Sequence, residues 1–225
     1  MIQTELELIR TLIPSHLHRV TYIAGSAAIA PQTAKDVDVW VFASGCVLGE
    51  LAEHMRAVWP TLVKMDSCIV RGNTSPLNAT SLAAYGVENP ERWVERGLQF
   101  LADIEVSGAA RGIQFFGCVR GGIDSLLDGF DITTHQWALP LIGKPSSPIC
   151  AASATLPSQL PRVTNFHTPV TTLGRLRRFL VRYGWDHTDH PDYTRLRDAA
   201  EEANAEDAFA LAFAINPTHL ASSPI

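Results

Sequence analysis

Two carboxylates, Asp36 and Asp38, stand two residues apart inside the apolar run Val37, Val39, Trp40, Val41 and Phe42. The run reads as a buried strand. On a strand, residues two apart project from one face, their Cα atoms about 7 Å apart. Two neighbouring acids repel, and burying them is costly unless a positive charge lies between them. A divalent cation meets that need, and hard carboxylate oxygens suit Mg²⁺. Upstream, Val20-Thr-Tyr-Ile23 reads as another strand ending at Gly25-Ser26. Small residues there allow a sharp turn and let backbone N–H groups approach a phosphate.

The order of strand, Gly-Ser, short helix and strand with Asp-x-Asp resembles the nucleotidyltransferase superfamily that shares the DNA polymerase β-like fold. Gly25, Ser26, Asp36 and Asp38 carry the match. A second stretch is similar to a subgroup of nucleotidyltransferase-like proteins, several of them from phages and other large viruses. It comprises Ile113-Gln-Phe-Phe116 as a strand, Gly122 to Asp128 as a short helix, and Gly129-Phe-Asp131-Ile-Thr-Thr-His135-Gln136-Trp-Ala-Leu139 as a further strand. Thr172 to Gly184 resembles the basic helix that follows in that subgroup. Together the resemblance spans residues 18–45 and 111–185.

The resemblance implies a mixed β-sheet core flanked by helices, an α/β (α+β) fold, with a carboxy-terminal helical part. It implies transfer of a nucleoside monophosphate from a nucleoside triphosphate to an acceptor hydroxyl, with pyrophosphate leaving. Two Mg²⁺ ions held by about three carboxylates would serve that chemistry. Asp36 and Asp38 supply two. Asp131, in Phe-Asp-Ile-Thr, is the expected third, placed on a neighbouring strand within reach of the same ions. Asp103 and Glu105 are the alternatives, and Gln114 stands where polymerases of this fold carry an acid. Ser26 and the following N–H groups would hold phosphates.

Arg175, Arg178 and Arg182 follow i, i+3, i+7 and share one helical face, opposite Leu173, Leu176, Phe179 and Leu180. That face is either a cationic grip on a triphosphate or RNA, or a solvated surface. His135 and Gln136 are candidates to touch a base or ribose. The spacing of His187, Asp189 and His190 is poor for zinc. Neither a Walker A pattern nor a GxGxxG loop occurs, which disfavours P-loop kinases and Rossmann dehydrogenases.

The elements that must position these residues are legible in part. Thr4 caps a helix to about Ile13 that Pro14 closes, with Glu5 and Glu7 in its first turn. Val47 to Val58 has helical periodicity ended by Pro60. Leu62–Met65 and Cys68–Val70 read as short strands, and Arg71 to Asn78 as a loop. Pro90 opens a helix with Trp93, Val94, Gly97, Leu98 and Leu101 on one face. The Pro/Ser-rich stretch 143–165 reads as a connector between a core, 1–142, and a helical part, 166–225. In the helical part, Thr171 or Thr172 caps the arginine helix, and Asp192 or Thr194 begins a last helix running to about Ala214.

At 225 residues, 46% hydrophobic and 18% charged, the chain can bury a full core. A net charge of −5 argues against non-specific binding along nucleic acid. Cys46, Cys68, Cys118 and Cys150 lack zinc spacing and read as free thiols. The amino terminus is acidic, and no membrane-spanning run is present, so a cytoplasmic protein without a membrane partner is expected. Two function classes remain. One is a Mg²⁺-dependent nucleotidyltransferase acting on RNA, a protein or a small molecule. The other is a non-catalytic nucleotide- or partner-binding module of the same fold, as in a toxin–antitoxin or viral regulatory pair.

Overall fold

A computed structural model describes residues 2–62, 71–72, 90–95, 97–104, 111–142, 147–164, 169–187 and 190–202. The elements form two compact units. The first comprises Met1–Phe130 and Thr134–Ala154, the second Asp131–Thr133 and Thr155–Ile225.

The first unit is built on a seven-stranded sheet in the order β3-β4-β5-β2-β1-β6-β7. The strands are β1 (Thr21–Ala24), β2 (Asp36–Phe42), β3 (Arg71–Gly72), β4 (Leu98–Ile104), β5 (Gly112–Cys118), β6 (Trp137–Pro140) and β7 (Ile149–Cys150). β2 and β5 run parallel, and every other neighbouring pair is antiparallel. The expected mixed α/β sheet with flanking helices is present.

Alternation along β2 sorts its side chains. Val37, Val39 and Val41 are fully buried on one face with Ile23, Ile113, Phe115 and Leu139. Helices α1 (Ile2–Leu12) and α3 (Gly45–Leu62) cover that face through Leu6, Ile9, Leu12, Leu48, Leu51 and Met55. Each such buried side chain contributes about 1.5–3 kcal/mol of hydrophobic stabilisation. The other face carries Asp36, Asp38, Trp40 and Phe42 in turn. Trp40 stacks on Phe116 at 4.2 Å and lies 5.2 Å from the Trp93 ring. Helices α4 (Pro90–Glu95) and α5 (Ile123–Asp128) pack on this face through Trp93, Val94, Leu126 and Leu127.

Several elements differ from the sequence expectations. The Pro90 helix stops at Glu95, and Leu98 and Leu101 lie on β4 instead. Gly97 makes the break, with φ +69 and a site where a Cβ would lie 2.5 Å from Val119 Cγ2. Backbone pairing with β5 then prevails over the apparent helical spacing of the leucines. Helix α3 begins at Gly45 and continues two residues past Pro60, to Leu62, so the proline falls in its last turn and does not end it. Residues 129–136 are not strand. Gly129 terminates α5, Ile132 makes a single bridge to Val163, and Thr133–His135 form a 3-10 turn before the four-residue β6. The stretch 147–164 contributes β7 and the Val163 bridge. Leu62, expected to open a strand, ends α3, and Arg71 and Gly72, expected to open the 71–78 loop, form β3. The rest of the strands expected at 62–65 and 68–70, residues 73–78 of the loop, and the chain beyond Glu202 lie outside the described residues, as do Cys68, Glu105 and Asp189.

The second unit pairs α6 (Pro169–Arg182) with α7 (Pro191–Glu202). Leu173, Leu176, Leu180, Tyr193, Leu196 and Ala200 pack together with Ile132 and Val163. α6 starts earlier than either threonine expected to cap it. The N-cap of α7 is filled by His190, whose Nδ1 accepts the Asp192 N–H at 3.2 Å, with Pro191 opening the helix. No helix among the described residues is long and apolar enough to cross a membrane. Among the described residues Cys46, Cys118 and Cys150 form no disulfide.

Candidate active site

β2 places Asp36 and Asp38 together. Both are half-buried, in contrast to the fully buried valines between and after them. Their in-register neighbours are short on several sides. Gly112 stands opposite Asp36 on β5, and Ala24 stands opposite Asp38 on β1 with Ala138 beyond it on β6. The neighbour of Asp38 on β5 is Gln114, and Asp103 on β4 pairs with Gln114 in turn.

Immediately after β1 the chain turns at Gly25 and enters the four-residue helix α2 (Ser26–Ile29). Gly25 has φ 78 and ψ −152, a region open in practice to glycine alone. A Cβ there would lie 3.6 Å from Asp38 Oδ2, so the Gly-Ser turn and the Asp38 carboxylate are direct neighbours. The Gly25 N–H donates to the Trp137 carbonyl at 3.0 Å, which ties the turn to β6. The structure thus brings Gly25 and Asp38 together, with Asp36 on the same sheet face as Asp38 and Ser26 opening α2 directly after the turn.

The other candidates have the following surroundings. Asp131, expected to open a strand beside β2, is a bend residue assigned to the second unit. It is 6% exposed, and its Oδ2 accepts from Thr172 Oγ1 at 2.9 Å and Arg175 Nη1 at 3.1 Å. Arg175 thus meets a buried carboxylate of its own unit, while Arg178 and Arg182 lie exposed on α6. Gln136 is fully buried, donates to the Phe130 carbonyl at 3.1 Å and accepts from Ser153 Oγ at 2.7 Å, which makes it a scaffold residue. His190 is buried between the Pro161 carbonyl and the Asp192 N–H. A cleft of about 170 Å³ lined by Phe42, Glu95, Cys118, Arg120, Ser125 and Leu126 sits at the far ends of β2 and β5, away from Asp36.

Two polar constellations had no recognised part in the sequence reading. Arg111, just before β5, donates from Nε to Glu5 Oε1 at 2.9 Å and from Nη1 to the Ala34 carbonyl at 2.8 Å. Glu5 lies on the apolar stripe of α1 with Ile9 and Leu12. A charge in that position calls for a buried partner, and this was the available signal. Asp192 gathers the Val163 N–H, Arg162 and Arg195. Desolvation by burial raises its pKa, but the Val163 N–H and the Arg162 and Arg195 guanidiniums together hold it below the ordinary value.

The donor chemistry of Asp36 and Asp38 fits a hard divalent cation. Two carboxylates share a half-buried face, the Gln114 position alongside carries an amide oxygen, and water or phosphate can fill the other coordination positions. Among the described residues no group of three or more His, Cys, Asp or Glu is gathered for a metal.

No protein-family model matches the chain, and no curated protein matches it. Solved structures do. A CCA-adding enzyme in complex with CTP superposes with TM-score 0.58 at 16% identity, covering 93% of this chain and 45% of that one. A CCA-adding enzyme in complex with ATP gives TM-score 0.57 at 15% identity, over 94% and 46%. A tRNA-processing enzyme in an apo form gives 0.54 at 15% identity, over 94% and 50%. The chain spans about half the length of these proteins. The likeness shows the fold alone, a mixed α/β sheet flanked by helices that is consistent with a nucleotidyltransferase-like fold.

Proposed function

We propose that this chain is a divalent-metal-dependent nucleotidyltransferase that moves a nucleoside monophosphate from a nucleoside triphosphate to an acceptor hydroxyl. The observation that carries the reading is the close approach of the Gly25 turn to Asp38, with Asp36 on the same sheet face. A turn that brings backbone close to a carboxylate pair can hold phosphate and cation side by side. Asp36 and Asp38 would hold Mg²⁺. The bound ions would offset the triphosphate charge and lower the pKa of the attacking hydroxyl. Ser26 would bind phosphate through its hydroxyl. Arg178 and Arg182, exposed on α6, would bind phosphate groups. Asp131 and Arg175 would serve instead to hold Thr172 and α6 in place. The likeness to structures complexed with CTP and ATP supports a nucleoside triphosphate as donor, and an RNA acceptor is consistent with it. The subgroup of phage and viral proteins remains the finer kinship suggested by residues 113–139 and 172–184.

A second reading, a nucleotide-binding module without turnover, is favoured by one observation. The β5 neighbour of Asp38 is the neutral Gln114. Thermal shifts with each triphosphate, with and without Mg²⁺, followed by pyrophosphate release, separate the two. The enzyme reading expects a metal-dependent shift and release, the module a shift alone. Neither shift nor release would contradict both.

A further inference from the structure

We propose that Arg111, paired with Glu5, is a positioning residue for the Asp36 carboxylate. This inference rests on the reading of Asp36 and Asp38 as metal ligands.

The guanidinium reaches three parts of the first unit. Its own backbone leads into Gly112, the register partner of Asp36 on β5. Its Nη1 donates to the carbonyl of Ala34, two residues before Asp36, at 2.8 Å. Its Nε donates to Glu5 on α1 at 2.9 Å. Both side chains of the ion pair are 5% exposed. One planar group therefore ties the start of β2, the start of β5 and α1 together at the end of the sheet that carries Asp36. β2 is otherwise held from Asp36 onward by ladder bonds, and Ala34 by its N–H to the Ala30 carbonyl at 3.1 Å.

The pair is poorly explained by stability. Glu5 Oε2 is buried and without a hydrogen-bond partner. Two charges have been removed from water, and such a pair is often no more stable than a well-packed apolar substitute. Its geometric effect is specific. A guanidinium with two fixed acceptors sets the path of the chain from Ala34 into Asp36. Groups bonded directly to a metal ligand govern affinity by about 10- to 100-fold, and a hold exerted through the backbone two residues away is expected at the lower end. A Lys at the same place keeps the charge but presents a single nitrogen, which cannot reproduce the fork.

The test is Mn²⁺ binding, followed by paramagnetic relaxation of water protons, with thermal melting measured alongside. The proteins are the full chain, Glu5→Leu/Arg111→Met, Arg111→Lys, and Asp36→Asn as reference. The expected result is a Glu5→Leu/Arg111→Met variant that melts at or above the wild-type temperature and binds Mn²⁺ about tenfold more weakly, with Arg111→Lys also weakened. Wild-type Mn²⁺ affinity in either folded variant, while Asp36→Asn loses binding, would overturn the positioning role. Should the apolar pair fail to fold, Arg111→Lys decides. Unchanged affinity in Asp36→Asn itself would instead overturn the ligand reading beneath it.

Discussion

Gly25 and Asp38 are neighbours across the β1–β2 edge: a Cβ on Gly25 would stand 3.6 Å from Asp38 Oδ2. The close approach is possible because β1 ends one residue earlier, with Ala24 in register opposite Asp38. The glycine then takes a φ of +78 that turns the chain into α2.

Gly25→Ala is expected to destabilise the protein by about 1–3 kcal/mol, the scale of a forced non-glycine backbone conformation. Urea unfolding measures it. The added methyl lies at ordinary contact distance from Asp38, so backbone strain is the cause. A shift within experimental error would mean the turn relaxes to negative φ.

Asp131→Ala is expected to destabilise the second unit by about 1–3 kcal/mol, because Thr172 and Arg175 lose a buried acceptor. Arg175 is partly exposed and can regain water, which keeps the loss at the lower end. Asp131→Asn should recover part of the loss through its amide oxygen. Denaturation curves of both variants check the order.

The Asp192 carboxyl contributes a pH dependence of known sign. Its folded pKa is lowered below that of the unfolded chain, near 4. The stabilisation is thus fully present above about pH 4 and is lost as pH falls through the folded value. Asp192→Asn should be less stable than wild type at pH 7, and the gap should narrow in acid. Urea midpoints at pH 7 and pH 3 test it, and a constant gap would contradict the assignment.

If α6 takes phosphate, Arg178→Ala should weaken triphosphate binding by about tenfold at low salt and by less at high salt, because screening already reduces the wild-type attraction. Equal affinity at every ionic strength would make this a solvated face.

The sequence showed the Asp36–Phe42 strand, the Gly-Ser turn and the arginine helix because each is set by local signals. Alternation places the valines of β2, a glycine marks the turn, and an apolar stripe defines α6. Phe130-Asp131-Ile132 misled because a strand-like apolar pattern can also serve one bridge, here to Val163, and tertiary pairing decides which. Leu98 and Leu101 fit helical spacing from Pro90 only while the positive φ of Gly97 is unknown. Arg111 and Glu5 lie 106 positions apart, so their pairing was hidden, although a glutamate on an apolar stripe announced that some partner was needed.

The central claim concerns Asp36 and Asp38, and the most direct measurement is metal-dependent pyrophosphate release by wild type and Asp38→Asn, tested with each nucleoside triphosphate and an RNA acceptor. Removing one of two neighbouring acids should leave the apo fold as stable as before or slightly more so. The account predicts release by wild type that requires a divalent cation, and none by an equally folded Asp38→Asn. Near wild-type release by Asp38→Asn would contradict it.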